Sequence, residues 1–364
     1  MSPRAPRRPF RAAAVLLVAL LMTGCAAAAG GGLFGGDPTP RLADVTPVAD
    51  PLGWEGASTA RLAESGIEPI DTGEQTIPTS LIDSQGTQVE VADTSRILAL
   101  DIYGSLSRIV YELGFGDSVV GRDVSSGFSE ISSKPLVTEN GHDLNAEAIL
   151  ALAPTLLITD TSLGPWDVVL QVRDAGIPVV VVDSSRSTDN VGTLIEQVAA
   201  ALGVPERGAA LAERTVSSVQ AKIAEIAAVA PAEGERLRMV FLYVRGQAGV
   251  YYMFGEGSGA QSLIAGLAGH DVAAEIGWTG MRPVTDEGLI AAQPDLILMM
   301  TKGLESVGGV DGLMEALPAV AQTPAGQHRR IVDMDDTEIL SFGPATADVL
   351  DALAVAVYAP DQAR

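Results

Sequence analysis

Two side chains with metal-binding chemistry stand at the end of one apolar stretch, Met239-Val-Phe-Leu-Tyr-Val-Arg-Gly246. Its composition predicts a β-strand, in which alternate side chains point to opposite faces. Tyr243 and Arg245 therefore lie side by side on the same face. A neighbouring guanidinium favours the phenolate form of a tyrosine, and a phenolate is a hard oxygen ligand that suits Fe(III). The alternative is a half-buried strand end in which the arginine only satisfies the tyrosine hydroxyl.

A histidine and a group of softer side chains are further candidates for ligand contact. His142 follows Gly141 and directly precedes a predicted helix, which places it in a loop at a domain edge. A solvated surface histidine is the alternative at this position. Aromatic and thioether side chains that suit either a cleft or a core are Tyr251, Tyr252, Met253, Met281 and Met299.

Residue counts and motifs argue against several classes of protein. The single cysteine, Cys25, leaves no internal disulfide and no thiolate metal site, and three histidines disfavour a histidine-rich zinc site. A formal charge of −23 argues against nucleic acid as a partner. The chain has no phosphate-binding loop, and Gly116-Asp-Ser118 precedes a predicted strand instead of forming a hydrolase elbow. These features argue against an enzyme.

The N-terminus has the composition of an export leader. Within residues 1–25, four arginines precede an apolar run that ends in Met22-Thr-Gly-Cys25. That ending resembles a bacterial lipobox, which implies that Cys25 is lipidated. An ordinary signal peptide with an incidental cysteine is the alternative. Residues 26–75 are rich in Ala, Gly and Pro, and we predict a flexible tether there.

From residue 76 onward, short apolar strands alternate with amphipathic helices, a pattern typical of sheets buried on both faces. We predict an N-terminal α/β lobe over residues 76–204, a long helix over 205–230 and a C-terminal α/β lobe over 231–364. The central sheets should be mostly parallel, with flanking helices. The long helix is predicted to join the lobes as a spine, with the ligand cleft between them.

The two predicted lobes share a sequence repeat. Residues 144–158 match residues 284–298 at a constant offset of 140 residues, which pairs Glu147 with Glu287 and Pro154 with Pro294. A helix cap, an acidic first turn, a proline stop and a buried strand occur in the same order in both copies. The repeat predicts two lobes of similar structure.

The chain resembles the helical-spine class of substrate-binding proteins of ABC importers. Within that class it is similar to the haemin-binding lipoproteins of bacterial haem importers, over about residues 76–357. The similarity is carried by the leader, the two lobes, the spine and short segments. These segments are Thr94–Asp101, Val137–Leu150, Leu242–Gly246, Gly255–Gly259, Gly303–Gly308 and Leu340–Pro344.

The resemblance implies a site for hemin, the Fe(III) form of haem. His142 from the first lobe and Tyr243 from the second would bind iron on opposite faces of the porphyrin, and Arg245 would hydrogen-bond the phenolate. Further contacts to the porphyrin are expected from Tyr251, Tyr252, Met253, Met281 and Met299. Haem would be the transported ligand, with no catalytic cofactor.

The resemblance also implies partners and a location. We expect an ABC permease and its ATPase subunits to receive the hemin. A lipid on Cys25 would hold the protein, as a monomer, at the extracytoplasmic face of the bacterial cell membrane. The same fold with a ferric siderophore or a corrinoid such as cobalamin as its cargo remains the alternative.

Overall fold

The structure is a computed structural model that describes residues 37–64 and 66–363. The predicted leader with Cys25 and the first part of the predicted tether, residues 26–36, lie outside the described residues. Among the described helices, none is long and apolar enough to cross a membrane.

Strands and helices alternate along most of the described chain. The strands are β1 (Ser58–Ala60), β2 (Thr79–Ile82), β3 (Gln88–Val91), β4 (Ile97–Leu100), β5 (Thr138–Glu139), β6 (Asp143–Leu144), β7 (Leu156–Thr159), β8 (Val179–Val181), β9 (Arg238–Arg245), β10 (Val250–Phe254), β11 (His270–Asp271), β12 (Met281–Pro283), β13 (Leu296–Met300) and β14 (Ile331–Met334). The α-helices are α1 (Ser105–Val110), α2 (Ala146–Ala151), α3 (Trp166–Asp174), α4 (Val191–Ala201), α5 (Pro205–Val229), α6 (Ala260–Gly266), α7 (Val272–Glu275), α8 (Asp286–Ala292), α9 (Thr301–Glu305), α10 (Gly309–Ala316), α11 (Pro324–Gln327) and α12 (Thr346–Tyr358).

Each lobe is built on its own sheet. The first lobe has a parallel sheet of order β4-β7-β8. The second has the order β1-β14-β13-β9-β10-β12, in which the first four strands are parallel, β10 pairs antiparallel with both β9 and β12, and β11 pairs parallel with β9. Apolar clusters cover both faces of both sheets. The predicted α/β fold with two lobes is confirmed.

The sequence repeat corresponds to a repeat in the structure. Asn145 caps α2 by accepting a hydrogen bond from Ala148 N, and Thr285 caps α8 in the same way through Gly288 N. After both helices, the residue directly before the proline has a positive φ, Ala153 at 43° and Gln293 at 41°. Left-handed backbone is uncommon outside glycine, so its recurrence at equivalent positions shows that both lobes use one helix-to-strand turn.

Arg96, directly before β4, and Arg238, the first residue of β9, complete this turn. Arg96 donates through Nε to the carbonyls of Leu152 and Ala153, both at 3.0 Å. Arg238 donates to the equivalent carbonyls, those of Ala292 (3.0 Å) and Gln293 (3.3 Å). A cation at a helix C-terminus satisfies orphan carbonyls and opposes the helix dipole. The arginines thus fix the helix against the strand that precedes the site.

The long helix α5 connects the two cores. Its 25 residues span roughly 37 Å at 1.5 Å per residue. Leu211 and Ala212 belong to a core cluster of the first lobe, whereas Val219 and Ile226 belong to a core cluster of the second. Because one rigid element is buried in both lobes, large changes in their relative position would expose apolar surface.

The prediction of a flexible tether is wrong for the described part of residues 37–75. Strand β1 adds to the edge of the second lobe's sheet beside β14, and Leu42 is buried in the core beneath it. Further along, Ile67 and Ile70 pack against the core of the first lobe. Few apolar residues and no periodicity mark this segment, because an edge strand is held mainly by backbone hydrogen bonds.

Candidate functional site

The face of β9 that carries Tyr243 and Arg245 ends at the carboxyl edge of the second lobe's sheet. Beneath them lies a stack of aromatic rings. Phe254 lies parallel to Phe241 with centroids 5.1 Å apart, and parallel to Tyr243 at 5.9 Å. Tyr252 is the direct cross-strand neighbour of Tyr243. This support holds the phenol ring in place while its side chain stays partly exposed.

Arg245 lies over the ring of Tyr243 and is held by three acceptors. Its Cζ is 4.4 Å from the ring centroid. Nη1 donates to Val244 O at 2.9 Å, and Nη2 donates to Asp336 Oδ2 at 2.5 Å and approaches Met300 Sδ at 3.8 Å. The expected hydrogen bond to the phenol oxygen is absent among the described residues. The guanidinium stacks on the ring instead, because Asp336 engages the Nη2 donor.

His142 lies in the turn of a short hairpin in the first lobe. Strands β5 and β6 pair through Glu139 and Asp143, so residues 140–142 make the turn. Asn140 and Gly141 adopt left-handed backbone, with φ of 46° and 94°. Asparagine and glycine tolerate that region best, which explains the sequence Asn-Gly before the histidine.

Asn145 connects this hairpin to the repeated helix. Its Oδ1 accepts from Ala148 N at 2.9 Å, while its Nδ2 donates to Glu139 Oε2 at 2.7 Å. The residue that caps α2 therefore also holds the hairpin strand that leads to His142. The turn of the repeat thus positions a candidate ligand in the first lobe.

The charges around His142 come from both lobes. Burial lowers the pKa of His142 and the charge of Arg245 lowers it further, whereas Asp336 and Asp143 act in the opposite direction. Since Arg245 and Asp336 both act on the pKa of His142, the hairpin of the first lobe lies near the strand end of the second. Nδ1 of His142 is buried and lacks a hydrogen-bond partner. A neutral imidazole with an unpaired ring nitrogen is the form that binds metals.

The other predicted contacts divide between the two faces of the sheet. Met253 and Met299 are 0% exposed in the core on the opposite face from Tyr243, so the prediction that they contact a ligand is wrong. Tyr251 packs partly buried against that same core, on the face opposite to Tyr243, and its contact with a ligand stays a prediction. Tyr252 shares the face of Tyr243, and Met281 is 53% exposed on β12.

Asp336 is the site residue that sequence reasoning missed. It follows β14 by two residues, in a run of aspartates at positions 333, 335 and 336. Polar residues directly after a buried parallel strand lie at the carboxyl edge of the sheet, where ligands bind. That rule applied to β14 would have identified Asp336 beside Arg245.

A buried charged cluster lies at the corresponding edge of the first lobe. Arg186 Nη2 bridges Asp101 (3.0 Å) and Asp160 (2.7 Å), and Asp123 accepts from the backbone of Asp101 at 3.1 Å. Burial and the charge of Asp101 raise the pKa of Asp160 to about 6 and that of Asp123 to about 7. Since these groups are occupied with one another, we assign them to the framework of the lobe.

Comparisons with protein families and with solved structures find proteins of the same two-lobe architecture. A family model described as "Periplasmic binding protein" matches residues 102–338. The crystal structure of the heme binding protein HmuT matches with a TM-score of 0.81 and 41% identity, covering 85% of this chain and 99% of its own. HmuT has also been solved with a tyrosine, an arginine or a histidine substituted.

Curated relatives are more distant. The substrate-binding lipoprotein YvrC of Bacillus subtilis (strain 168), described as uncharacterized, is 24% identical over 291 residues, which cover 79% of this chain and 87% of the relative. A cobalamin-binding protein of Halobacterium salinarum is 23% identical over 285 residues, which cover 77% and 74%. The matching family and the HmuT structure are those of substrate-binding proteins of transport and not of enzymes.

Proposed function

Since the chain belongs to the periplasmic binding protein family, we propose that it captures hemin between its two lobes and delivers it to an ABC permease. The observation that carries this proposal is that Arg245, which stacks on Tyr243 in the second lobe, acts on the pKa of His142 in the first lobe. A metal held in a macrocycle leaves two axial positions open. One candidate ligand from each lobe matches that requirement.

The chemistry of the two side chains favours ferric haem. Tyrosinate is an anionic oxygen ligand and imidazole a neutral nitrogen ligand, and both are known axial ligands of haem iron. The lowered pKa of His142 keeps its imidazole neutral and available. Tyr252, on the same face as Tyr243, and the exposed Met281 are the remaining candidates for porphyrin contact.

The relatives support the same cargo. In HmuT, the substituted tyrosine and arginine are two residues apart, as Tyr243 and Arg245 are here. The alternative cargo is a corrinoid, which the cobalamin-binding relative favours at lower identity. An imidazole would suit cobalt as well as iron, whereas the tyrosine–arginine pair favours haem.

The proposal extends to anchoring and location. A lipid on Cys25 would hold the protein at the extracytoplasmic face of the cell membrane, where the permease and its ATPase subunits accept the hemin. We propose that it acts there as a monomer. Labelling with a lipid precursor tests this: Cys25→Ser should abolish the label and release the protein, and a retained label would contradict it.

A hemin titration of the soluble form, beginning at Ala26, tests the cargo. We expect a saturable Soret band near one equivalent that Tyr243→Phe displaces and His142→Ala shifts. Tyr251→Phe is the matched control, because it removes a hydroxyl from the neighbouring strand on the opposite face. Saturable binding of cobalamin without saturable binding of hemin would overturn the haem assignment and leave the fold intact.

A further inference from the structure

Asp336 holds a fixed carboxylate at the carboxyl edge of the second lobe. Its Oδ2 accepts from Arg245 Nη2 at 2.5 Å, and its Oδ1 accepts from the backbone N of Lys302, at the start of α9, at 2.9 Å. The side chain is 12% exposed. With both oxygens engaged, the carboxylate has little freedom to follow a moving partner.

The orientation of Arg245 depends on that carboxylate. A guanidinium is planar, so two fixed acceptors on different nitrogens define its plane. Val244 O holds Nη1, and Asp336 holds Nη2. In this orientation Cζ lies 4.4 Å above the centre of the Tyr243 ring. The cation therefore acts on the ring face, and the phenol oxygen keeps its lone pairs for another partner.

We propose that Asp336 is a positioning residue that sets the donor strength of the Tyr243 ligand through Arg245. This inference rests on the proposed function. By pairing with the guanidinium, Asp336 offsets part of its charge and keeps it on the ring. Without the carboxylate, the full positive charge is free to approach the phenolate oxygen, where it withdraws electron density from the bond to iron.

The consequence is a defined redox and spectral signature. A stronger phenolate donor stabilises ferric over ferrous iron. Loss of Asp336 should therefore raise the ferric–ferrous midpoint potential and move the tyrosinate-to-iron charge-transfer band. If Asp336 had only a structural role, its loss would weaken the binding of hemin. The midpoint potential and the charge-transfer band of the hemin-loaded variant would then stay as in wild type.

The test uses Asp336→Asn, with Asp336→Glu as the conservative rescue. Asp335→Asn is the matched control, since its Oδ1 binds Thr337 and not Arg245 while the change in charge is the same. We expect Asp336→Asn to shift the band and raise the potential, Asp336→Glu to return both toward wild type, and Asp335→Asn to leave the band in place. In the Arg245→Ala background, Asp336→Asn should no longer move the band. An unmoved band in Asp336→Asn, or an equal shift in both backgrounds, would overturn the inference.

An NMR measurement on the ligand-free protein provides an independent test. The ring current of Tyr243 shifts the side-chain NMR signals of Arg245 while the two groups are stacked. Asp336→Asn should abolish that shift, and an unchanged shift would overturn the positioning role. Failure of wild type to bind hemin would sink the proposed function alone, because this measurement needs no ligand.

Discussion

At the scale of single residues, the site depends on how charge is shared across the lobes. Arg245 and Asp336 form an ion pair on the second lobe, and both act on His142 of the first. The electrostatic fields of two opposite charges this close together largely cancel at long distance. A neighbouring group that is nearer to one of the two charges still responds to each of them separately. The protonation of His142 is therefore a reporter of lobe closure in the ligand-free protein.

The first prediction concerns that reporter. By NMR titration without hemin, we expect the pKa of His142 to lie below the ordinary value of about 6.5. Arg245→Ala should raise it, because a repelling cation is removed, and Asp336→Asn should lower it, because an attracting anion is removed. Arg329→Ala, which removes an exposed cation paired with Asp311, is the control. If the pKa of His142 were the same in Arg245→Ala as in wild type, the two lobes would not approach each other as described.

A second residue-scale prediction concerns stability and pH. Burial, and then the charge of Asp335, raise the pKa of Glu338 to about 7 from its ordinary 4.5. The folded state thus holds this proton more tightly than the unfolded state, and the free energy of unfolding falls as pH rises through that interval. Urea unfolding at a series of pH values should show Glu338→Gln reducing this fall by about 1–3 kcal/mol. Glu90→Gln, at an exposed position of β3, is the control for the loss of one carboxylate, and a slope equal to wild type in Glu338→Gln would contradict the assignment.

At the scale of elements, the repeat brings the strand ends and their loops to the site. Glycine at position 303 lets α9 pass close to the end of β9: an added Cβ would lie 2.9 Å from Val244 O and 3.2 Å from Arg245 Nη1. A carbonyl oxygen in that position cannot rotate away as a side chain can. The glycine therefore maintains the contact that places Arg245 and Asp336 together.

Gly303→Ala tests this close approach. We expect the free energy of unfolding to fall by about 1–3 kcal/mol, and hemin affinity to fall with it, because the backbone of β9 must shift. Gly234→Ala is the matched control, since no atom lies within 4 Å of its added Cβ. Chemical denaturation and hemin titration of both variants measure the two effects. Wild-type stability and affinity in Gly303→Ala would contradict the role assigned to this contact.

The elements themselves were predictable from sequence, but the faces of some strands were not. Asn145 and Pro154, with their counterparts in the second copy, marked the helix caps, turns and buried strands correctly. Strand β10 is apolar along its whole length because helices cover both faces of the sheet, so alternation does not separate a cleft face from a core face. Met253 was misassigned for that reason. Its register with β9 is a property of the folded sheet alone.

At the scale of the whole molecule, the described residues form two connections between the lobes. Helix α5 is buried in both cores, and of the described residues before Thr76, Leu42 lies in the core of the second lobe while Ile67 and Ile70 pack on that of the first. Two crossing connections restrict hinge motion more than one, which favours small changes in the cleft over wide opening. The sequence did not predict the second connection, because the segment is mostly polar. It is attached to the two lobes only through an edge strand and a few separate apolar residues.

Truncation tests the second connection. A chain that begins at Thr76 should be less stable than one that begins at Asp37 by at least about 3 kcal/mol, because it loses β1 and the burial of Leu42. In the longer chain, Leu42→Ala should cost about 2–4 kcal/mol, whereas Leu52→Ala, at a position 39% exposed, should cost much less. Thermal unfolding compares all four proteins. If the two chains were equally stable, the prediction of a flexible tether would be right and the second connection would not contribute to stability.

The central claim is that one residue from each lobe binds the iron of a single hemin. The most direct measurement is a crystal structure of the hemin complex, with iron located by anomalous scattering. We expect the iron between Tyr243 Oη and a ring nitrogen of His142, on opposite faces of the porphyrin. Iron bound by residues of one lobe only, or hemin outside the space between His142 and Tyr243, would contradict the account.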